Sequence, residues 1–465
     1  MSARRVALSS RPGNAPPPPR RAARHGSPAG DRDALTTERQ LTRWRGITLA
    51  TLLVGYAGYY ICRSDLAVAA PLLTDPLTGA GLDKEALGLI ASAGVFVYAL
   101  GKGFSGILCD FVGGRTMFLL GMVGSVVCTL LFGVGVGVGV LLTAWSLNRL
   151  AQSMGWLAVV KLTARWFPPQ RHGMVMGVLS LSFLFGDALA RGLLGGLIQL
   201  GVGWRGLFVF AAGVLAVITV ISGWTLKSSP LAVGLPEPDA YGGGVYGGAA
   251  NDASPHGIRD LLMPFFRSPS FWLVCILSVG LTLIRETFNL WTPTFLMESA
   301  KLSAAQAAVG SMVFPFVGGI SAIVTGHVSD RVAGQNRSKI LAPCLGALAL
   351  ALIALSRSAA SAELPRTLLL ITLVSFLLIG PYSLLAGVVA LDLGGKKGSA
   401  TAAGLVDSAG YLGAVLSGYG VAVIAQRHGW EAAFEGLAAV ALVTLVVALL
   451  YWWTQTFGPV AVKEV

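Results

Sequence analysis

The sequence predicts an all-α membrane protein whose twelve transmembrane helices form two similar halves. Hydrophobic residues make up 54% of its 465 residues and charged residues only 12%, and the mean hydropathy is +0.71. This composition does not fit a water-soluble domain of such length. Apolar stretches long enough to cross a hydrocarbon core of ~30 Å recur along the chain. In addition, the second half repeats the charged and glycine landmarks of the first half in the same order.

The apolar stretches place twelve spans along the chain. The third and fourth are the hardest to separate, because Gly133 to Val140 alternates glycine with valine and reads equally well as turn, strand or helix. The predicted spans cover residues 47–72, 87–109, 117–137, 139–162, 173–200, 205–226, 270–295, 307–328, 338–356, 366–392, 400–425 and 430–453.

An internal repeat relates the two sets of six spans. Arg63 in the first span and Arg285 in the seventh are each followed eight residues later by a proline. The pattern G-x-x-x-D then occurs at Gly106 to Asp110 and again at Gly326 to Asp330. Two duplicated halves with an anion-attracting residue at equivalent depths are typical of a transporter that binds its substrate between the halves.

Charge distribution predicts the topology. Residues 1–45 hold ten arginines and are expected to be a disordered cytoplasmic tail, residues 46–226 and 270–453 the two bundles, 227–269 a cytoplasmic linker and 454–465 a second tail. Lys and Arg concentrate on the side of the membrane that carries the tails and the linker. We therefore expect a protein of the cell (inner) membrane with both termini on the cytoplasmic side. The net charge of +12 is explained by this topology rather than by nucleic-acid binding. An Arg-rich start is also typical of an organelle transit peptide, which is the alternative.

Arg63 is the first candidate site residue. An arginine in the membrane interior costs ~3 kcal/mol on insertion scales and is by default a functional-site hypothesis. The structural alternative is an ion pair with Asp65, but residues two apart on a helix point away from each other. Tyr56 and Tyr60 lie on the face of Arg63 at helical spacing, either beside the substrate or as ordinary packing residues.

Further charged groups lie inside predicted spans. Lys102 could attract an anion or extend toward the membrane surface. Arg149 and Gln152 share one helix face and are expected to face a cavity. Asp187 and Arg191, four residues apart, suit a structural ion pair.

Three acids, Glu286, Asp407 and Asp65, are candidates for proton coupling. Burial favours the protonated carboxyl group and a nearby arginine favours the carboxylate, so the sequence leaves their protonation open. The sequence contains no P-loop and no H-E-x-x-H motif. We therefore expect no enzymatic activity, no ATP-driven pumping, no metal and no cofactor.

Several motifs resemble a known family. GILCDFVGGR at 106–115 and GHVSDR at 326–331 resemble the loop signature of the major facilitator superfamily. Within it, GYAGYYICRSDLAVAAPLL, the stretch 283–296 and LDLGGKKGSATAAGLVDSAGYLG resemble the organophosphate:phosphate antiporters. The resemblance covers about residues 46–453. It implies the major facilitator fold, a phosphate held by Arg63 and Arg285, and a role for Lys102, which matches a family lysine.

The sequence also departs from that family. Ser64 stands where the family often has lysine, Ser182 where glycerol-3-phosphate carriers have histidine, and Asp65 and Glu286 follow the two arginines.

The resemblance implies a carrier that exchanges a phosphate ester for inorganic phosphate by alternating access. A proton-coupled organic-anion symporter and a transport-like membrane sensor are the alternatives. We expect a monomer in the lipid bilayer whose partners are a small anion and either phosphate or a proton. Gating is expected at the span ends that carry Asp110, Arg115, Asp330 and Arg331.

Overall fold

The computed structural model describes residues 28–73, 80, 82, 84–240, 244–252, 254–302, 307, 310–333, 337–359 and 363–457. In these ranges the regular structure is helical and no strand occurs. Residues 28–42 are a helical arm that forms a unit of its own. All tertiary contacts below lie within residues 43–465.

The first six spans agree closely with the sequence prediction, except where the first helix begins. That helix starts at Pro28, so residues 28–45, predicted to be unstructured, are helical. Proline is favoured at the first position of a helix, and acidic residues near a helix N-terminus complement its dipole. The helices are Pro28–Leu73, Lys84–Val112, Gly114–Val134, Val138–Trp166, His172–Gln199 and Trp204–Thr225.

The alternating Gly-Val stretch is a turn between two helices. The third span ends at Val134 and the fourth begins at Val138. Gly137 has φ of +83°, a conformation that only glycine adopts readily. The ambiguity in the sequence is therefore resolved by one left-handed residue.

The second half contains the other six spans, preceded by a short helix of the linker, Ile258–Arg267. Gly395, Gly398 and Gly429 have non-helical backbone angles inside the last helical stretch and divide it. The eleventh span therefore covers about 399–428 and the twelfth 430–457. The remaining spans are Pro269–Ala300, Val313–Val328 with a wider turn at Ser329–Ala333, Ser338–Ser358, and Leu364–Leu384 continuing through Leu385–Val389.

Eight segments of the described chain are long and apolar enough to cross a membrane by length and composition, one of which, Leu364–Gly418, covers two spans. The first, fourth and eighth spans are not among them. The first and fourth carry Arg63, Asp65, Arg149 and Lys161, which lower their hydropathy, and the helix of the eighth, Val313–Val328, has only 16 residues.

The halves pack closely at one end of the bundle, where glycine backbones meet. A side chain at Gly173 would collide with the carbonyl oxygen of Gly326, and one at Gly106 with the carbonyl oxygen of Ala400. These contacts join the fifth span to the eighth and the second to the eleventh, as the repeat requires. We call this end the basic end because it carries Arg115, Lys161 and Lys396; it is the end predicted to face the cytoplasm.

We predict that Gly326→Val opens the basic end. A β-carbon at Gly326 would overlap the backbone of Gly173, which cannot move as a side chain could, so the halves must separate. Spin labels at Gln170→Cys and Lys339→Cys, both exposed and on opposite halves, should report a longer distance. Gly436→Val is the control, because nothing lies within 4 Å of that position. An unchanged distance distribution in Gly326→Val would contradict the prediction.

Candidate functional site

Two neighbouring cavities lie in the interior of the bundle. The central cavity, about 40 Å³, is lined by both halves. The wide cavity, about 360 Å³, is lined by the first, second, fourth and fifth spans. Tyr60 contributes to both walls. The central cavity is bordered by Tyr56, Tyr60, Tyr98, Lys102, Trp156, Ser180, Phe183, Arg285, Tyr382, Ser383, Asp407 and Tyr411.

Arg63 lies in the wall of the wide cavity and rests on aromatic rings. Its Nη1 donates to the Tyr98 hydroxyl at 3.2 Å, and its guanidinium carbon lies 4.5 Å from the Tyr98 ring centre and 5.0 Å from that of Tyr60. Such cation–π contacts contribute ~0.5–2 kcal/mol, more when desolvated. Among the described residues no carboxylate lies within 4.0 Å of Arg63, so the alternative pair with Asp65 does not form.

Arg285 is the counterpart in the second half and lines the central cavity. It donates to the Tyr382 hydroxyl, lies 4.4 Å from that ring centre, and contacts Glu286 with Nη2 to Oε1 at 3.1 Å. The two arginines thus come from opposite halves and reach cavities separated by Tyr60. They differ in that only Arg285 has an acidic neighbour.

Lys102 pairs with Asp407 of the eleventh span. Nζ lies 2.6 Å from Oδ2, and the two side chains are 3% and 6% exposed. The alternative in which Lys102 extends to the membrane surface is therefore wrong. The pair instead bridges the halves in the wall of the central cavity.

Arg149 faces a cavity, whereas Gln152 is buried between helices. Arg149 lines the wide cavity and lies 4.6 Å from the Tyr98 ring centre. Gln152 was expected to face a cavity, but it lines none of those described: it is 2% exposed, and its amide donates to the Cys62 carbonyl at 2.7 Å. Gln152 holds the first span in place beside Arg63, because a buried amide must find hydrogen-bond partners.

The remaining charged residues lie near the wide cavity. Asp65 is fully buried; one oxygen accepts from the Leu66 N–H at 2.7 Å and the other has no hydrogen-bond partner. Asp187 pairs with Arg191 at 2.8 Å, as predicted, and also accepts from the Ser64 hydroxyl.

Sequence reasoning found Tyr56 and Tyr60 but missed Tyr98, Tyr382 and Tyr411, which also line the central cavity. The Tyr98 ring lies under Arg63, Lys102 and Arg149, and Tyr411 packs edge-on against it at 5.4 Å. Tyr98 precedes Lys102 by four residues and Tyr411 follows Asp407 by four, so each shares a helix face with a charged residue. That spacing was the available signal.

Two matching clusters join the halves at the basic end. Asp110 contacts Lys161 at 2.8 Å and accepts from the Thr401 N–H at 2.7 Å, at the start of the eleventh span. Carboxylates are favoured at helix N-termini because of the helix dipole. Lys161, only 2% exposed, is part of this cluster rather than a surface anchor.

The second cluster repeats this arrangement in the other half. Asp330 contacts Arg337 at 3.1 Å and accepts from the N–H groups of Gly173 and Met174, at 2.9 and 2.8 Å, at the start of the fifth span. Of the other two gating candidates, Arg115 donates to carbonyls at the end of the sixth span and Arg331 is exposed. Neither makes a described contact between the halves.

A family model for the Major Facilitator Superfamily matches residues 49–418. The chain belongs to this superfamily. Its members are membrane transporters rather than enzymes, in keeping with the paired bundles and the central cavity between them.

Curated relatives of this superfamily member cover nearly its whole length. A probable hexose phosphate transport protein of Chlamydia pneumoniae is 27% identical and spans 90% of this chain and 94% of its own. The glycerol-3-phosphate transporter of Bacillus subtilis is 26% identical, over 87% and 91%. The membrane sensor protein UhpC of Salmonella typhimurium is 26% identical, over 87% and 91%.

Solved structures support the fold. The fucose:proton symporter FucP of Escherichia coli superposes with a TM-score of 0.68 over 87% of this chain and 98% of its own, at 12% identity. Such low identity shows a shared fold and nothing about substrate.

The linker of this superfamily member crosses the basic end. Glu237 accepts from Arg165 of the fourth span at 2.7 Å and contacts Lys396 of the second half at 3.4 Å. Lys397 contacts Asp260 of the linker helix at 2.9 Å. Although burial acts to raise the pKa of Glu237, hydrogen bonds from Ser229 and Arg165 and the charge of Lys396 bring it below its ordinary value.

We predict that Asp330→Asn and Asp110→Asn shift the superfamily member toward states open at the basic end. Each change removes a charge-assisted contact that joins the halves, and such bonds contribute ~1.5–3 kcal/mol. The open population should rise about tenfold or more, measured as the distance distribution between labels at Gln170→Cys and Lys339→Cys. If neither aspartate variant alters that distribution, these clusters do not hold the basic end closed.

We predict that Glu237→Gln loosens the linker at neutral pH, because it removes the charge shared by Arg165 and Lys396. Since the pKa of Glu237 lies below its ordinary value, its contribution is present at neutral pH and is lost only as the pH falls through that lowered pKa. Hydrogen–deuterium exchange of residues 230–240 and 244–252 should accelerate in the variant. The exposed neighbour Asp239→Asn is the control, and equal exchange in both variants would contradict the prediction.

Proposed function

We propose that this superfamily member carries a phosphate ester across the membrane and exchanges it for inorganic phosphate by alternating access. The observation that carries the proposal is the setting of Arg63. Its guanidinium is held against two tyrosine rings, beside a cavity, with no carboxylate within 4.0 Å in the described chain. Arg285 reaches the adjoining cavity from the other half.

This arrangement suits a phosphate group. A guanidinium presents a planar fork of donors that matches two oxygens of a phosphate. The Tyr60, Tyr98 and Tyr382 hydroxyls add further polar groups around the arginines. An anion bound between Arg63 and Arg285 draws the halves together, and its binding energy offsets the cost of closure.

The names of the relatives support the same substrate class. They include a hexose phosphate transport protein and a glycerol-3-phosphate transporter, and both align over most of this chain. The basic residues of the tails and linker support an orientation in the cell membrane with both termini on the cytoplasmic side. The glycine contacts and aspartate clusters then close the cytoplasmic side.

Proton-coupled symport is the second candidate, and Glu286 favours it. Its Oε1 is buried without a hydrogen bond of good geometry, although Arg285 lies 3.1 Å away. A carboxylate in that position can accept a proton when the anion takes over the arginine. Uptake that requires an inward proton gradient but no internal phosphate would favour this candidate, whereas binding without any uptake would favour a sensor.

We predict that lysine cannot replace arginine at position 63 or 285. Lysine keeps the charge but lacks the planar fork, so one phosphate hydrogen bond is lost. A charge-assisted bond contributes ~1.5–3 kcal/mol, so affinity for a phosphate ester should fall roughly ten- to a hundredfold. Titration calorimetry of purified Arg63→Lys and Arg285→Lys with glucose 6-phosphate, glycerol 3-phosphate and inorganic phosphate measures this.

Glu286→Gln is the companion variant. It should tighten anion binding, because Arg285 loses its competing carboxylate. Arg357→Lys, in the last turn of the ninth span and away from the cavities, is the matched control. Near-wild-type affinity in both cavity lysine variants would contradict a bidentate grip and the phosphate-ester assignment with it.

A further inference from the structure

The two cations that line the central cavity each contact a carboxylate of the protein itself. Lys102 lies 2.6 Å from Asp407 and Arg285 lies 3.1 Å from Glu286. Glu286 is the next residue along the same helix, whereas Asp407 belongs to the opposite half. Only the Lys102–Asp407 contact therefore depends on how the halves meet.

That contact is part of the packing between the second and eleventh spans. Gly103 follows Lys102 in the sequence and Ser408 follows Asp407. A β-carbon placed on Gly103 would lie 3.1 Å from the Ser408 hydroxyl oxygen. The same hydroxyl donates to the Ala99 carbonyl at 3.0 Å. Lys102 and Asp407 are thus buried between two helices in direct contact, and each neutralises the other there.

Neutralisation matters because an alternating-access carrier passes through a state closed at both ends. A buried cation without a partner is far more costly there than a paired one. In a carrier whose site holds only cations, the substrate anion must supply the missing charge. Such a carrier changes orientation only when loaded, and it is a strict exchanger.

We propose that Asp407 is an internal counter-anion that allows this carrier to change orientation without a bound anion. The inference rests on the proposed function and deepens it: phosphate-ester transport is then not tied obligatorily to exchange. On binding, a phosphate oxygen replaces the Asp407 carboxylate at Lys102. On release, Asp407 returns to Lys102, and no proton or covalent change is required.

Two cations of the wide cavity, Arg63 and Arg149, have no carboxylate within 4.0 Å in the described chain, yet they do not demand a bound anion in the same way. Arg63 and Arg149 lie against the Tyr98 ring, at 4.5 and 4.6 Å from its centre. Arg149 also donates to the Gln152 side chain at 3.2 Å. Aromatic faces and an amide oxygen therefore stabilise both guanidinium groups from within the protein.

Reconstituted vesicles test the proposal. Purified protein in phospholipid vesicles is loaded with labelled inorganic phosphate, and efflux is followed into buffer with or without external phosphate. The wild type should release label under both conditions. In Asp407→Asn the ratio of net efflux to exchange should fall about tenfold or more, because Lys102 loses its partner. Glu298→Gln, whose carboxylate accepts from the Trp430 indole near the end of the seventh span, is the control and should keep the wild-type ratio.

A double variant that removes both charges of the pair separates the counter-anion role of Asp407 from a merely structural one. The double variant Lys102→Gln/Asp407→Asn buries no unpaired charge, so its ratio of net efflux to exchange should return toward the wild-type value. A ratio that stays low in the double variant would overturn the proposal. So would a wild type without net efflux, or a proton flux that accompanies net efflux and disappears in Asp407→Asn. Absence of exchange with inorganic phosphate or any phosphate ester would instead contradict the proposed function.

Discussion

The structure depends on how cations are tolerated in the interior of a membrane protein. Arginine and lysine are costly there, so each must find a carboxylate, an aromatic face or an amide within the protein. Lys102 and Arg285 have carboxylates, whereas Arg63 and Arg149 share the ring of Tyr98. These two solutions differ in consequence: a carboxylate cancels the charge, and a ring leaves its attraction for anions available.

The same electrostatic rule shapes the basic end. Asp110 and Asp330 each combine one cation of their own half with the N-terminus of a helix in the other half. Because the two clusters are related by the internal repeat, closure at this end is symmetric although the sequences around it differ. Glycine backbones beside the clusters, such as Gly173 and Gly326, bring the helices close enough for these contacts to form.

The linker also takes part in closing the basic end. Glu237 lies between a cation of each half, so the segment predicted to be a cytoplasmic linker also forms part of the contact between the halves. Its charge is stable at neutral pH because the surrounding donors lower the pKa of Glu237. A membrane carrier can thus be held closed by groups that lie outside the bilayer.

The sequence by itself determined the number and order of the spans, the internal repeat, and the charged residues that lie within helices, because hydropathy and spacing along one helix are local properties. It located Arg63, Arg285, Lys102 and Asp407 without showing that the last two meet. Only the tertiary structure decided which groups face each other across the halves, and it assigned Gln152 to a buried hydrogen bond with the first span rather than to a cavity. Pairing between residues some three hundred positions apart depends on how helices pack, and no periodicity within a single helix encodes it.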